Sequence, residues 1–265
     1  MRSSRLPITF LAVAFGASLL LGGCAEDPVA NPPTQEIIDN ATIELQPPTG
    51  PTGTITPGMY PLGLASPRDG FLYVPAGYDP SVPAPLLVLL HGAGRSSADW
   101  DTPELRTQYD ANGLIVVATD SRFDTWDARI VGEYHEDVDF LHEALAYVYS
   151  VANLDASRMG IGGFSDGASE AIGIGLANAH LFSRIVAFSP GLFYAPFSRG
   201  TPQVYVSHGI QDDVLSFVYT RDITVITLVR NGHTVQFRQF DDGHLIPEGL
   251  LIEGIQWAAS SRSPE

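Results

Sequence analysis

The feature that most limits the fold is a regular alternation of short apolar runs with longer amphipathic segments, which begins after Gly58. Residues 86–90 and 114–118 are continuous apolar runs of the length expected for strands buried on both faces of a sheet. Between about residues 133 and 151, apolar residues instead recur every three or four positions, as on one face of a helix. This alternation predicts an α/β fold with a mostly parallel central sheet and helices on both faces.

The same alternation continues to the end of the chain. Further predicted strands cover residues 71–74, 158–162, 185–188, 204–207 and 235–240, and further predicted helices cover residues 166–179, 217–230 and 247–258. A length of 265 residues suits one large domain with short additions. We therefore expect a single folded domain over residues 58–265.

The first residues have the pattern of an export signal. Arg2 and Arg5 precede an apolar run over residues 6–21, and small residues then lead to Cys24, the only cysteine in the chain. The run falls short of the roughly 20 apolar residues that a membrane span needs, so we expect it to be cleaved. The string Leu21-Gly22-Gly23-Cys24 resembles the lipobox of bacterial lipoproteins. The alternative is an ordinary secreted protein with its cysteine near the cleavage site.

The lipobox resemblance implies a lipoprotein signal peptide over residues 1–23 and a lipid anchor on Cys24. It implies that the protein lies in the bacterial cell envelope. An aspartate directly after the lipidated cysteine favours the inner membrane, so Ala25 at this position points to the outer membrane. Residues 24–57 are rich in Pro, Gly, Thr and Asn and contain few large apolar residues. We expect them to form an extended tether between the anchor and the domain.

Charge and cysteine content restrict the possible partners. The formal net charge is −16, which argues against nucleic acid and against attachment to anionic lipids through a basic patch. Membrane attachment is therefore expected to rest on the acyl chains. No cluster with the spacing of a metal site and no glycine-rich phosphate loop is present in the sequence, so it implies no metal and no cofactor.

A glycine-flanked serine marks the candidate reaction centre. Gly163-Phe164-Ser165-Asp166-Gly167 follows a predicted strand and opens a predicted helix, the context of a nucleophile elbow. Such a turn holds the serine in a strained backbone conformation, and the glycines let strand and helix approach closely. We predict Ser165 as a nucleophile. A glycine-rich turn without a catalytic part is the alternative.

A serine nucleophile needs a base and an acid that orients the base, in the chain order serine, acid, histidine. Asp212 follows the predicted strand 204–207, and His244 follows the predicted strand 235–240. Asp213 remains an alternative acid, because spacing alone does not exclude a shift of one residue. Of the seven histidines, only His244 follows both the serine and the acid in a loop after a strand. His208, in a sharp turn after a strand, is expected to hold that loop by hydrogen bonding.

Two backbone N–H groups are candidates for an oxyanion hole. His91-Gly92-Ala93-Gly94 directly follows the strand at 86–90, and we predict the N–H of Ala93 as one donor. The N–H of Asp166, at the start of the helix after the serine, is the predicted second donor. A plain flexible turn at 91–94 is the alternative. Three large side chains in loops after strands are candidates for shaping a substrate pocket or for ordinary packing: Trp100, Arg122 and Trp126.

Over about residues 70–257 the chain resembles the α/β-hydrolase superfamily, and within it the phospholipase/carboxylesterase and dienelactone-hydrolase-like serine esterases. Polyester depolymerases and feruloyl esterases are similar relatives. The motifs that carry this resemblance are Leu89-Leu90-His91-Gly92-Ala93-Gly94, Ser97-Ala98-Asp99-Trp100, Gly163-Phe164-Ser165-Asp166-Gly167-Ala168, Phe188-Ser189-Pro190-Gly191, His208-Gly209 with Asp212, and Gly243-His244-Leu245-Ile246-Pro247.

The resemblance implies a serine hydrolase that cleaves small or surface-presented carboxylic esters through an acyl-enzyme, without metal or cofactor. Asp166 departs from the family pattern, because relatives commonly carry Gln, Met or Ala there, and an acid beside the nucleophile is expected to disfavour anionic substrates. Two alternatives remain open. One is a binding or scaffold lipoprotein on an inactive hydrolase fold, and the other is thioester or amide cleavage by the same residues.

Overall fold

The computed structural model describes residues 40–49, 54–128, 134–193 and 198–261. The predicted signal peptide, Cys24 and the first part of the predicted tether lie outside these residues. The described chain forms an eight-stranded sheet in the order β1-β2-β4-β3-β5-β6-β7-β8. The strands are β1 (Gly58–Pro61), β2 (Gly70–Val74), β3 (Ala84–Leu90), β4 (Ile115–Thr119), β5 (Leu154–Phe164), β6 (Arg184–Phe188), β7 (Gln203–Gly209) and β8 (Val235–Phe240).

The sheet is parallel except at one edge, where β1 pairs with β2 and β2 pairs with β4 in antiparallel register. All the other neighbouring strands are parallel. The helices are α1 (Pro103–Ala111), α2 (Glu136–Val151), α3 (Asp166–Ala177), α4 (the consecutive segments Phe217–Tyr219, Thr220–Val225 and Ile226–Arg230) and α5 (Glu248–Ala259). The middle segment of α4 has the wider turn of a π-helix. None of the helices in the described part of the chain is long and apolar enough to cross a membrane.

Strand β3 shows how the sheet is covered on both faces. Leu86, Val88 and Leu90 pack into a core that includes α2 and α3, whereas Leu87 and Leu89 pack into a second core that includes α1 and α5. Successive side chains of a strand point to opposite faces, so a strand that is apolar at every position must be covered twice. The predicted α/β architecture, a mostly parallel sheet with helices on both faces, is confirmed.

Besides a short 3-10 helix (Ser97–Trp100), a strand and a helix were not predicted from the sequence. Strand β1 is a short antiparallel edge strand in which every second residue is exposed. Helix α1 is mostly polar and buries only Leu105 and Tyr109. Its signals are at its start, where the Thr102 side chain accepts a hydrogen bond from the Leu105 N–H and Pro103 occupies the first turn. A long apolar stripe was not needed to form it.

The folded part of the chain begins earlier than the predicted boundary at residue 58. Ala41 and Ile43 are fully buried in the core that includes α2 and α3. The side-chain amide of Asn178 donates to the Ala41 carbonyl and accepts from the Ile43 N–H, both at 2.7 Å. The segment predicted as a tether therefore includes chain that packs against the domain. Leu45 and Ile55, also within the predicted tether, are partly buried against the same core.

Candidate active site

The predicted serine, acid and histidine lie at one edge of the sheet. Ser165 directly follows β5, Asp212 lies three residues beyond the end of β7, and His244 lies four residues beyond the end of β8. Because β5 to β8 are neighbouring parallel strands, their carboxyl ends meet at the same edge. Three side chains that are distant in sequence are thereby brought together.

The three side chains form a continuous hydrogen-bonded chain. The Oγ of Ser165 lies 2.9 Å from Nε2 of His244, and Nδ1 of His244 lies 2.6 Å from Oδ2 of Asp212. A carboxylate oxygen only accepts, so Nδ1 carries the ring hydrogen and Nε2 is left to accept from the serine hydroxyl. This is the tautomer in which His244 can take a proton from Ser165.

The backbone at Ser165 has the strained conformation that the glycine pattern predicts. Ser165 has φ 56° and ψ −122°, a left-handed conformation that residues other than glycine rarely adopt. A Cβ on Gly163 or Gly167 would clash with the carbonyl oxygen of Leu90, and one on Gly167 would also clash with that of His91. The two glycines therefore allow β3, β5 and α3 to pack closely enough to present Ser165 at the sheet edge.

Asp212, and not Asp213, contacts the histidine. The Asp212 carboxylate is fully buried, and its Oδ1 accepts hydrogen bonds from the N–H groups of Val214 and Leu215 at 2.9 and 2.8 Å. Burial alone would raise the pKa of Asp212, but the hydrogen bonds from His244 and from these backbone groups lower it below its ordinary value. Asp212 is therefore ionised at neutral pH. Asp213 is exposed.

The loop that carries His244 is held against the end of β7. The N–H of Ile210 donates to the carbonyl of Phe240, and the N–H of Gln211 donates to that of Asp242. A Cβ on Gly209 would clash with the Asp242 and Gly243 carbonyl oxygens, so glycine is needed at this close approach. The ring of Phe164, just before the serine, packs against the His244 imidazole at 4.9 Å between centroids.

The loop after β3 lies beside the serine. A Cβ on Gly92 would be 3.4 Å from Cβ of Ser165. Ala93 lines the same cleft as Ser165, and its N–H meets no acceptor among the residues that the structure describes. Asp166 begins α3, so its N–H belongs to the positive end of that helix. Ala93 and Asp166 are thus both next to the serine, in the cleft and in the chain, and their roles as oxyanion donors stay predictions.

His91 shapes this loop and is not positioned as a base. It is fully buried, its Nδ1 lies 2.7 Å from the Gly92 carbonyl, and its Nε2 accepts from the Ser121 N–H at 3.0 Å. Burial lowers the pKa of His91, which keeps the ring neutral. The loop is also held by a hydrogen bond from the Gly94 N–H to the Asp124 carbonyl.

A cleft of about 520 Å³ opens beside Ser165 and His244. Its walls are largely apolar and include Phe164, Trp100, Leu105, Val214, Leu245, Ile246 and Leu251. The charged residues Arg95 and Asp99 also line it, and they form a bidentate ion pair at 2.5 and 2.8 Å. A charge that is already paired in this way attracts a charged substrate only weakly.

Of the three large side chains considered as pocket residues, only Trp100 lines the cleft. Arg122 lies over the Phe140 ring, 3.6 Å from its centroid, and donates to backbone carbonyls. Trp126 is buried in the core and donates to the His91 carbonyl at 2.8 Å. These two side chains pack within the molecule. Over the described ranges, no group of three or more His, Cys, Asp or Glu side chains is arranged to hold a metal ion.

His208 has a contact that the sequence did not predict. It holds its turn through a hydrogen bond from Nε2 to the Leu215 carbonyl at 3.1 Å, as expected of a histidine in a sharp turn. The same Nε2 also lies 3.0 Å from Oδ2 of Asp212, the oxygen that His244 contacts. The sequence carried one signal for this contact, the four-residue spacing between His208 and Asp212. A turn of this length can bring the two side chains together.

No protein-family model matches the chain, and no curated protein sequence is similar to it. Solved structures do match. The S-formylglutathione hydrolase of Agrobacterium tumefaciens has a TM-score of 0.59 at 18% identity, over 76% of this chain and 94% of that one. The fluorophosphonate-binding serine hydrolase F of Staphylococcus aureus has a TM-score of 0.59 at 18% identity, over 78% and 100% of the two chains.

A ferulic acid esterase of Anaeromyces mucronatus matches with a TM-score of 0.60 at 16% identity, over 81% of this chain and 94% of the esterase. The identities are low, so the similarity concerns the arrangement of strands and helices. The chain therefore has the α/β-hydrolase fold.

Proposed function

We propose that the protein is a serine hydrolase that cleaves carboxylic esters through an acyl-enzyme. The observation that carries this proposal is the chain of hydrogen bonds from the Ser165 hydroxyl through the His244 imidazole to the buried Asp212 carboxylate. The similarity of the fold to esterases and serine hydrolases supports it.

In the proposed reaction, Ser165 Oγ attacks the ester carbonyl while His244 Nε2 takes the hydroxyl proton. The negative charge that develops on the carbonyl oxygen is stabilised by the N–H groups of Ala93 and Asp166. His244 then gives its proton to the leaving alcohol. Water repeats the sequence on the acyl-enzyme and releases the acid, and Asp212 stays ionised throughout.

Substitution of the serine is the direct test. Ser165→Ala is expected to lower kcat on p-nitrophenyl butyrate by about 10⁴-fold or more while leaving the thermal unfolding transition in place. Ser150→Ala, an exposed serine on α2, is the matched control and should keep wild-type turnover. Turnover by Ser165→Ala within tenfold of the wild type would refute the assignment.

A fluorophosphonate probe separates an enzyme from a binding or scaffold protein on the same fold. The probe reacts covalently with a serine only when a base activates it. We expect stoichiometric labelling of the wild type and none of Ser165→Ala. An unlabelled wild type would support the scaffold alternative.

The apolar walls of the cleft favour uncharged esters. Trp100, Leu105 and Leu251 offer apolar surface beside the serine. Arg95, the one Arg or Lys among the described residues that line the cleft, is paired with Asp99 and attracts a carboxylate only weakly. A series of p-nitrophenyl esters from acetate to decanoate should show kcat/KM rising with chain length until the cleft is filled. An ester whose acyl group ends in a carboxylate should be hydrolysed at least tenfold more slowly than its uncharged counterpart.

Thioester cleavage is a second candidate, because two of the matching structures are S-formylglutathione hydrolases. The same serine, base and acid would serve either leaving group. Rates on an ester, a thioester and an amide with the same acyl group decide between them. We expect the ester to have the highest kcat/KM.

The attachment of the protein to the cell envelope is a separate proposal that rests on the lipobox-like string ending at Cys24. Metabolic labelling with palmitate should mark the wild-type protein, and Cys24→Ser should remain unlabelled. Fractionation of the labelled protein should place it in the outer membrane, as Ala25 favours. Full export of an unlabelled wild type would support the secreted alternative.

A further inference from the structure

We propose that His208 is a positioning residue for the catalytic triad formed by Ser165, His244 and Asp212. It acts on Ser165 and His244 through its contact with Asp212. The inference rests on the proposed function and assigns a second histidine to the same carboxylate. Its basis is that Oδ2 of Asp212 has an imidazole nitrogen on either side, Nδ1 of His244 at 2.6 Å and Nε2 of His208 at 3.0 Å.

The contacts of His208 define its tautomer. Nε2 lies near two oxygens that only accept, Oδ2 of Asp212 at 3.0 Å and the Leu215 carbonyl at 3.1 Å. The hydrogen must therefore be on Nε2. Nδ1 is buried and has no hydrogen-bond partner among the described residues, which suits a nitrogen without a hydrogen. Protonation of Nδ1 would place an unpartnered charged donor in a buried site.

The surroundings of His208 keep it neutral. Its side chain is fully buried, and burial lowers its pKa. The titratable groups that act on it are Asp212, which favours its charged form, and His244, which disfavours it. The Phe217 ring, 6.0 Å away between centroids, is uncharged. His208 therefore donates its Nε2–H to the Leu215 carbonyl and holds that N–H dipole beside Oδ2 of Asp212 without adding a positive charge.

This dipole has two consequences for Asp212. It fixes the direction of the carboxylate together with the N–H groups of Val214 and Leu215, so that Oδ2 stays aligned with His244. It also offsets part of the negative charge on Oδ2. Without it, the full negative charge on Oδ2 would act on His244.

The test compares His208→Leu, which removes the donor, with His208→Gln, whose amide N–H can reach the position of Nε2. For His208→Leu we expect kcat/KM at the optimum to fall about tenfold, mostly through kcat. KM should change little, because His208 does not line the cleft. The acidic limb of the pH profile of kcat/KM should move to higher pH. His208→Gln should restore most of kcat and return the limb toward its wild-type position.

His233→Leu is the matched control. His233 is also buried and contacts a backbone carbonyl, that of Pro202 at 3.0 Å, but it lies at the amino end of β8, opposite the site. The His233→Leu variant should lose thermal stability, and the pH profile of its kcat/KM should stay unchanged. Two results would contradict the inference. His208→Leu could lose stability without a change in its pH profile, or His208→Gln could have a kcat no higher than that of His208→Leu. In either case His208 would only fill space in the core.

Two readouts separate this inference from the proposed function. A wild type that fluorophosphonate does not label would overturn the proposed function itself, before any variant is compared. The proton NMR signal of the His244 Nδ1–H, at low field when bonded to Asp212, does not depend on turnover. It should shift in His208→Leu and stay unchanged in His233→Leu. An unchanged signal in both variants would contradict an effect of His208 on Asp212.

Discussion

At the scale of single residues, the site depends on which acid reaches His244. Asp212 and Asp213 are adjacent in sequence, and spacing does not distinguish them. In the fold, the Asp212 side chain is fully buried and accepts from His244, Val214 and Leu215, whereas Asp213 is exposed. The two positions therefore form a natural pair of variants.

Asp212→Asn should lower kcat by about 10³- to 10⁴-fold, because an amide does not stabilise the protonated imidazole and favours the wrong tautomer of His244. Asp213→Asn should stay within about twofold of the wild type. Steady-state kinetics on p-nitrophenyl butyrate measure both. Equal losses in the two variants would contradict the assignment of the acid.

A second residue-scale effect concerns stability and pH. Asp127 and Asp137 are buried together, and Asp137 accepts from the N–H groups of Arg122 and Asp127 at 2.6 Å. Burial and the neighbouring Asp127 raise the pKa of Asp137 to about 6. Because the folded state binds this proton more tightly than the unfolded chain does, the contribution to stability is present below about pH 4 and is lost as pH rises through about 6.

The free energy of unfolding of the wild type should therefore contain a decrease, on the order of 2 kcal/mol, between about pH 4 and 7. Urea unfolding at several pH values measures it. Asp137→Asn is expected to be less stable overall, since an amide accepts only one of the two N–H groups, and to show a smaller decrease, because burial also raises the pKa of the remaining Asp127. Asp139→Asn, an exposed residue on the same helix, should keep it. A parallel pH dependence in the wild type and Asp137→Asn would rule out this origin.

At the scale of elements, close approach of backbones decides where the serine lies. Helix α3 begins at Asp166, and the backbone of its second residue, Gly167, packs against the end of β3. Helix α5 begins in the same way, at Glu248, but a Cβ on its second residue, Gly249, would meet nothing within 4 Å. Gly167 and Gly249 thus occupy the same helical position, but only Gly167 is in close contact with another part of the chain.

Gly167→Ala should destabilise the protein by about 1–3 kcal/mol, because the new Cβ would overlap the Leu90 and His91 carbonyl oxygens, and it should also lower kcat by displacing Ser165. Gly249→Ala should be neutral or stabilising by up to about 1 kcal/mol, as expected for alanine in a helix. Thermal unfolding of both variants measures the difference. A Gly167→Ala protein as stable as Gly249→Ala would show that β3 and α3 are not in close contact.

At the scale of the whole molecule, the segment before β1 belongs to the fold. Ile43 is 1% exposed, whereas the next residue, Glu44, is exposed. Ile43→Ala should lower the free energy of unfolding by about 2–5 kcal/mol, as for other buried isoleucines. Glu44→Ala should change it by less than about 0.5 kcal/mol. Equal and small effects in urea unfolding would mean that residues 40–45 do not pack in solution.

The sequence by itself determined the fold class and the order of the functional residues. Continuous apolar runs at β3 and β4 predict strands buried on both faces, because the runs place apolar side chains on both faces of each strand. The glycines around Ser165 predict the strained turn for steric reasons. Ser165, Asp212 and His244 each follow a predicted strand, and they stand in the chain order that the nucleophile-elbow motif requires. These are local or periodic signals, and they can be read along the chain.

Tertiary structure alone decided the remaining features. Asp212 rather than Asp213 contacts His244, Nε2 of His208 lies 3.0 Å from Oδ2 of Asp212, and Ile43 packs in the core beside residues that are distant in sequence. Each of these depends on a distance between residues that the sequence separates by a turn, by 32 positions or by more than a hundred. Such a distance follows from how strands and loops pack in three dimensions, and neither periodicity nor residue type encodes it locally.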